Sequence, residues 1–203
     1  MEITIETIES GWNAVVDLFR DDAPVRIATR NGVSFDIPGL TININNVTNT
    51  ALPTLYKYPE LAKDYLDRLL GSMRGESMLY HRLYRWEAGE KPEFNQIAEI
   101  KEVLANDRNS RSAVFTAWRP EEDLGSLYPI SPVDGCFRII ENVLHVFLTA
   151  RSTDVMVGLV PELIAWAHFV ADMTLGLSVE KGVIHYHCWS LHMYEIDFVS
   201  SLG

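Results

Sequence analysis

The chain has 203 residues, enough for one domain with a sizeable core, and its 47% hydrophobic and 22% charged residues are ordinary for a globular protein. A formal net charge of −11, with no cluster of basic residues to offset it, argues against a nucleic-acid partner. A small anion gripped by one or two arginines is compatible with such a field. No apolar run approaches the roughly 20 residues that span a bilayer, and the acidic start MEITIETIES is unlike a secretory or transit leader. A cytoplasmic chain without a membrane partner is therefore expected. Cys136 and Cys188 are too few for a disulfide framework and lack zinc-site spacing, so no metal site is expected.

In chain order, GWNAVVDLF has the apolar spacing of a helix, with Ser10 as its N-cap. VRIAT and GVSFDIPG read as strands about an Asn31-Gly32 turn, and TININNV as a further strand. PELAKDYLDRLL, from Pro59 to Leu70, predicts a helix that opens on proline and stops at Gly71. FNQIAEIKEVLAND is an amphipathic helix, SAVFTAW a strand, and Arg119 to Gly135 a loop rich in proline and glycine. CFRIIENVLHVFLTAR predicts two strands turning at Glu141-Asn142. PELIAWAHFVADMTLGL is a helix buried on most sides, and VIHYHCW and HMYEIDF close the chain as strands. The mixture predicts one continuous domain, 1–203, of α/β or α+β class with a mixed sheet. His185 and His187 share a strand face but have no third ligand at suitable spacing, so they read as partly buried histidines.

Three segments carry a family resemblance: NQIAEIKEVLANDRNSRSAVFTAW (95–118), Cys136 with the strand pair ending in RSTDVMVGL (151–159), and LHMYEID (191–197). A helix ending in D-x-x-S-R, a Trp, a Cys, then R-S-x-D and H-x-Y resembles, in order and approximate spacing, the thymidylate synthase family. The likeness covers about half the chain and is thin before about residue 78; the form H-x-Y-E-x-D is similar to the compact archaeal branch. The resemblance implies a mixed sheet flanked by helices, dimerising through the sheet. It also implies a homodimeric enzyme with a shared active site that adds a one-carbon unit to carbon 5 of a pyrimidine nucleoside monophosphate, with 5,10-methylene-tetrahydrofolate as co-substrate.

The same resemblance assigns the residues. Cys136 is the expected nucleophile toward carbon 6; a free thiol is mostly protonated near neutrality, so it needs a cation beside it. Arg151 is expected to supply that cation across the strand pair and, with Ser152, to bind the phosphate. Arg111 is expected to reach the partner's phosphate. Asp154 holds the pterin of the folate, and His192 and Tyr194, at i and i+2 on one strand face, the sugar hydroxyl. Tyr80 is the expected proton-removing tyrosine, with Tyr84 four residues on as the other candidate.

Three positions depart from the family pattern. Phe137, next to Cys136, stands where bacterial members have His, and the archaeal branch tolerates an apolar residue there. Ser112 stands where a second arginine is usual. Glu162 stands where an Asn reads the uracil edge, and a carboxylate would instead accept from the amino group of cytosine. Pro161-Glu162 also suits a first helical turn, so the helix-start reading stands beside the base-reading one. The implied reactions are methylation of dUMP, hydroxymethylation of a cytidylate or deoxycytidylate as in related hydroxymethylases, or nucleotide binding without catalysis.

Overall fold

The structure, a computed structural model, describes residues 1–21, 24–54, 56–70, 78–86 and 94–201. In chain order it contains β1 (Glu2–Ile5), α1 (Ile8–Asp21), β2 (Val25–Thr29), β3 (Gly32–Ile44), α2 (Pro59–Leu70), α3 (Met78–Tyr84), α4 (Gln96–Asn106), β4 (Val114–Thr116), α5 (Pro120–Asp123), β5 (Pro132–Ile140), β6 (Val143–Ala150), β7 (Thr153–Asp154), α6 (Leu159–Leu177), β8 (Lys181–Tyr194) and α7 (Glu195–Ser201). The described strands form one eight-stranded mixed sheet in the order β1-β3-β8-β6-β5-β4, with β2 paired to β3 and β7 to β8. This is the α/β (α+β) mixed sheet flanked by helices that the sequence implies.

Local chemistry explains most element ends. The cap of α1 is Thr7: its Oγ1 accepts the Ser10 amide at 3.0 Å, while Ser10 Oγ accepts the Thr7 amide at 3.3 Å. Ser10 thus closes the cap three residues inside the helix, a reciprocal arrangement that leaves neither amide orphaned. Thr29 pairs with Gly32, so the tip of the first hairpin is Arg30-Asn31, and Gly32 takes a φ of 123° just beyond it. Glu141 (φ 49°) and Asn142 (φ 64°) make the two-residue turn between β5 and β6, where both positive φ values match the strand twist.

Three expectations are corrected. TININNV and GVSFDIPG are one strand, β3, and VIHYHCW continues to Tyr194 as one strand, β8. EIDF is the start of α7, not a strand. Its polar–apolar alternation mimics a strand, but Asp197 is buried where it accepts from Lys57 Nζ at 2.6 Å and Tyr58 Oη at 2.7 Å, while Ile196 is exposed. Phe198 stacks on Phe35 at 3.9 Å.

The strand registers divide the sheet into two faces. One row runs Phe115–Gly135–Leu148–Tyr186–Ile42, and its residues lie under α6, where Phe115 stacks on Trp166 at 5.3 Å. A Cβ on Gly182 would stand 2.2 Å from Val170 Cγ1, so the approach of α6 to β8 depends on that glycine. The next row runs Val114–Cys136–Phe147–His185–Asn43 and points to the opposite face. No described helix covers the middle of that row, and Phe147 is 41% exposed. His145 and His185 bond each other at 3.0 Å there, His185 bonds Asn43 Oδ1 at 2.7 Å, and His187 bonds Thr41 Oγ1 at 3.0 Å.

Candidate active site

At the end of β6 the chain turns through Arg151 and Ser152 into β7, which lies beside the last residues of β8. That turn forms one wall of a cleft of about 410 Å³. The Arg151 amide donates to Ser131 O at 3.0 Å, Nε to Ile130 O at 2.9 Å and Nη2 to Pro129 O at 2.7 Å. These bonds hold the half-buried guanidinium against segment 129–131 and leave Nη1 without a partner among those bonds. Burial lowers the pKa of Arg151 and the nearby Asp123 raises it; its ordinary value is high enough that it stays a cation.

The strand face of β8 supplies the facing wall. Ser190, His192 and Tyr194 line the cleft at alternate positions, as the period of two requires. His192 Nδ1 bonds Ser152 Oγ at 3.2 Å, and its ring meets Tyr194 edge-on at 5.3 Å. Asp36, across from His192 on β3, accepts from Ser34 at 2.7 Å and Ser190 at 2.5 Å. Arg30, at the hairpin tip, also lines the cleft and donates to the carbonyls of Ser126 and Leu127.

Behind the cleft lies a chain of buried hydroxyls. Ser131 Oγ donates to Ser152 O at 2.6 Å and lies 3.3 Å from Thr153 Oγ1. Thr153 Oγ1 meets Tyr186 Oη at 2.6 Å, and Tyr186 Oη donates to Glu162 Oε2 at 3.1 Å. Glu162 is 4% exposed, and its Oε1 has no hydrogen-bond partner among the described residues. Burial pushes its carboxyl up to about 7, against the opposing pull of the Tyr186 and Thr153 hydroxyls and Arg151. Asp154 Oδ1 accepts the Met156 amide at 2.7 Å and the Val157 amide at 3.3 Å, so it does cap a turn. Burial raises its pKa while the Met156 amide and His192 lower it. The buried Tyr56 hydroxyl, close enough to feel Asp154, has no partner among the described residues.

Comparison with known proteins decides what this constellation is related to. The thymidylate synthase family model matches residues 63–200. The chain belongs to the thymidylate synthase family. A protein of Methanothermobacter marburgensis described as "Putative thymidylate synthase" is 23% identical over 97% of this chain and 94% of its own length. One of Methanocaldococcus jannaschii with the same description is 27% identical over 95% and 91%. The thymidylate synthase of Haloferax volcanii is 27% identical over 55% of this chain and 32% of its own length. This is a family of transferases, and no helix among the described residues is long and apolar enough to cross a membrane.

Against that family pattern, the structure brings Arg151, Ser152, His192 and Tyr194 together in the cleft, with Asp154 and Glu162 beside it. It does not place Cys136, the expected nucleophile, among the residues that line this cleft. Cys136 pairs with Phe147, four residues short of Arg151, or about 13 Å along the strand. It also lies in the row of His185, on the face opposite the cleft. Burial raises its thiol pKa, and Arg138, not Arg151, is the cation that opposes this. Cys188 is on the cleft side of the sheet but is fully buried, and burial pushes its thiol up to about 11. The residue facing Arg151 across the strand pair is Ser131.

Two further expected residues do not line the cleft, of which Arg111 is expected to serve the partner's site. Tyr80 stacks on Tyr84 at 4.9 Å on α3, away from the cleft-lining residues. Arg111 is exposed beyond α4 and lines no part of this cleft. Arg108 donates to Leu177 O and Asn142 Oδ1, and Arg119 to Glu122 Oε1. Arg30, Ser131, Thr153 and Tyr186 were not singled out from the sequence. A hairpin tip, a loop serine and two strand residues carry no motif of their own.

Proposed function

We propose that the chain binds a pyrimidine nucleoside monophosphate in this cleft and transfers a one-carbon unit to carbon 5 of its base. The observation that carries this reading is the convergence of Arg151, Ser152, His192 and Tyr194 on one cleft with buried Glu162 behind it. Arg151 Nη1, Arg30 and the Ser152 hydroxyl suit a phosphate. His192 and Tyr194 suit the sugar hydroxyl. The base then runs inward toward Glu162, whose unpartnered Oε1 accepts from the amino group of cytosine. Cytosine is therefore the favoured base, and hydroxymethyl transfer the favoured outcome.

A uracil substrate is the second reading, favoured by the value near 7: a protonated Glu162 donates to oxygen 4. The residues also fit methylene-tetrahydrofolate as co-substrate, which supplies the one-carbon unit. Half-buried Asp154 and the orphaned Tyr56 hydroxyl offer an acceptor and a hydroxyl to the amino and amide groups of a pterin. Two copies pair through the exposed Phe147 row, with Arg111 reaching the partner's phosphate, in this reading.

The deciding experiment is mass spectrometry of products from dCMP, CMP, dUMP and UMP, each with methylene-tetrahydrofolate, alongside calorimetric binding of the four nucleotides. A hydroxymethylated cytosine product establishes the proposal. A methylated uracil replaces it with the second reading. Binding without product from any of the four reduces the function to nucleotide binding.

A further inference from the structure

A thiolate attack on carbon 6 needs a nucleophile beside the cleft cation, and neither cysteine is there. Cys136 faces the other side of the sheet, and Cys188 is fully enclosed. The position against Arg151 is taken by Ser131, half-buried directly behind the cleft-lining residues Pro129, Arg151 and Ser152. Its hydroxyl begins an unbroken series of contacts: 3.3 Å to Thr153 Oγ1, then 2.6 Å to Tyr186 Oη, then 3.1 Å to Glu162 Oε2. A serine hydroxyl is a weak nucleophile alone and is activated by a base that takes its proton. A buried series of hydroxyls ending on a carboxylate is such a base at one remove.

Resting on the nucleotide-binding part of the proposal above, we infer that Ser131 is the catalytic nucleophile of this chain and that Thr153, Tyr186 and Glu162 relay its proton. The Ser131 hydroxyl turns from the Ser152 carbonyl to Thr153. A bond forms between Ser131 Oγ and carbon 6 of the pyrimidine. The hydroxyl proton passes to Thr153, the Thr153 proton to Tyr186, and the Tyr186 proton to Glu162 Oε2. The electron pair of the carbon 5–carbon 6 double bond moves to carbon 5, which takes a proton from a water molecule and leaves hydroxide. Reversal gives the other proton of carbon 5 to that hydroxide, restores the double bond, breaks the oxygen–carbon 6 bond and returns the relay protons. Arg151 steadies the oxygen while it carries negative charge. Glu162 must start ionised, so the forward step rises with pH through about 7.

The sequence of steps exchanges the hydrogen on carbon 5 with solvent and needs no one-carbon donor. The test is deuterium incorporation at carbon 5 of bound dCMP in heavy water, read by NMR. Wild type is expected to exchange. Ser131→Ala is expected to lose exchange by about 100-fold or more while dCMP affinity, measured separately, stays within about threefold. Tyr186→Phe and Glu162→Gln are expected to slow exchange and to flatten its rise with pH, which loss of a merely structural contact would not do. Ser131→Cys, a conservative nucleophile, is expected to keep exchange. Exchange in Ser131→Ala at the wild-type rate, or no exchange in wild type saturated with dCMP, overturns the inference and leaves nucleotide binding standing. Absence of dCMP, CMP, dUMP and UMP binding to wild type overturns the underlying reading itself.

Discussion

Each face of the sheet carries a cysteine and a histidine, and only one face makes a site. On the exposed face Cys136, His145, His185 and His187 sit among Phe147 and Asn43, and the histidines satisfy one another and their neighbours. On the cleft side Arg151 and His192 line the cleft, with Ser131 and Glu162 behind its wall, and Glu162 is left with an unpartnered oxygen. A one-residue step along a strand moves a side chain from one face to the other. Residue type alone therefore says little; strand parity and the position of a turn decide which cysteine or histidine meets a cation and a cleft.

The largest expected effect tests that contrast directly. Ser131→Ala should abolish measurable turnover, whereas Cys136→Ala, on the far face, should leave turnover and nucleotide affinity within about twofold of wild type, the ordinary range for a substitution outside a site. Steady-state assays of the purified variants against the best of the four nucleotides check this. A Cys136→Ala protein that folds but lacks activity would restore the thiol to the mechanism.

Next in size is the loss of the phosphate grip. Arg151→Ala removes a charge-assisted contact worth about 1.5–3 kcal/mol, so nucleotide affinity should fall roughly 10- to 100-fold. Arg30→Ala should cost less, because Arg30 is exposed and spends donors on the Ser126 and Leu127 carbonyls. Titration calorimetry with the monophosphate and with the unphosphorylated nucleoside separates the effect: the nucleoside should be nearly indifferent to both changes.

A smaller effect distinguishes the bases. The Glu162 carboxyl titrates near 7, and only its protonated form donates to oxygen 4 of uracil. Uracil nucleotide affinity should therefore weaken as pH rises through about 7, by up to about tenfold per unit. Cytosine affinity should hold or improve over the same range, since the ionised form accepts from the amino group. Glu162→Gln should make both profiles flat there.

Much of this fold was legible because the elements obey local rules. The helix from Pro59, the amphipathic helix at 96–106, the Glu141-Asn142 turn and the long apolar helix at 159–177 all announce themselves by period and punctuation. The cleft residues Arg151, Ser152, His192 and Tyr194 were legible through an ordered set of motifs. What was not legible depends on pairing between distant strands. Cys136 and Ser131 are five residues apart in the same segment, and only the register Pro132↔Ala150 shows that Ser131 is the one beside Arg151. Arg30 enters the cleft through a hairpin outside the family match, and the Ser131–Thr153–Tyr186–Glu162 series spans a loop, two strands and a helix start.

The exposed face yields the smallest effect and a sharper view of what that face is for. Burial is the largest cause holding both His145 and His185 below the ordinary histidine value; Lys181 adds to it for His145, and His145 itself for His185. A base whose folded pKa is depressed binds fewer protons folded than unfolded just below its unfolded value. The stability it contributes is complete above about 6.5 and is lost as pH falls through the folded value. Both rings are partly open to solvent, so screening keeps the loss small, below about 2 °C in Tm between pH 7.5 and 5.5. His145→Asn with His185→Asn should remove this acid limb in thermal melts. If two copies pair through this face, the same titration acts at the interface. The acid loss should then steepen with dimer population and appear in sedimentation as dissociation, and Phe147→Asp should abolish the dimer at neutral pH. Sedimentation that shows no dimer at pH 7.5, with melts independent of protein concentration, would leave this face as a surface of self-satisfied histidines and remove the basis for Arg111 serving a second copy.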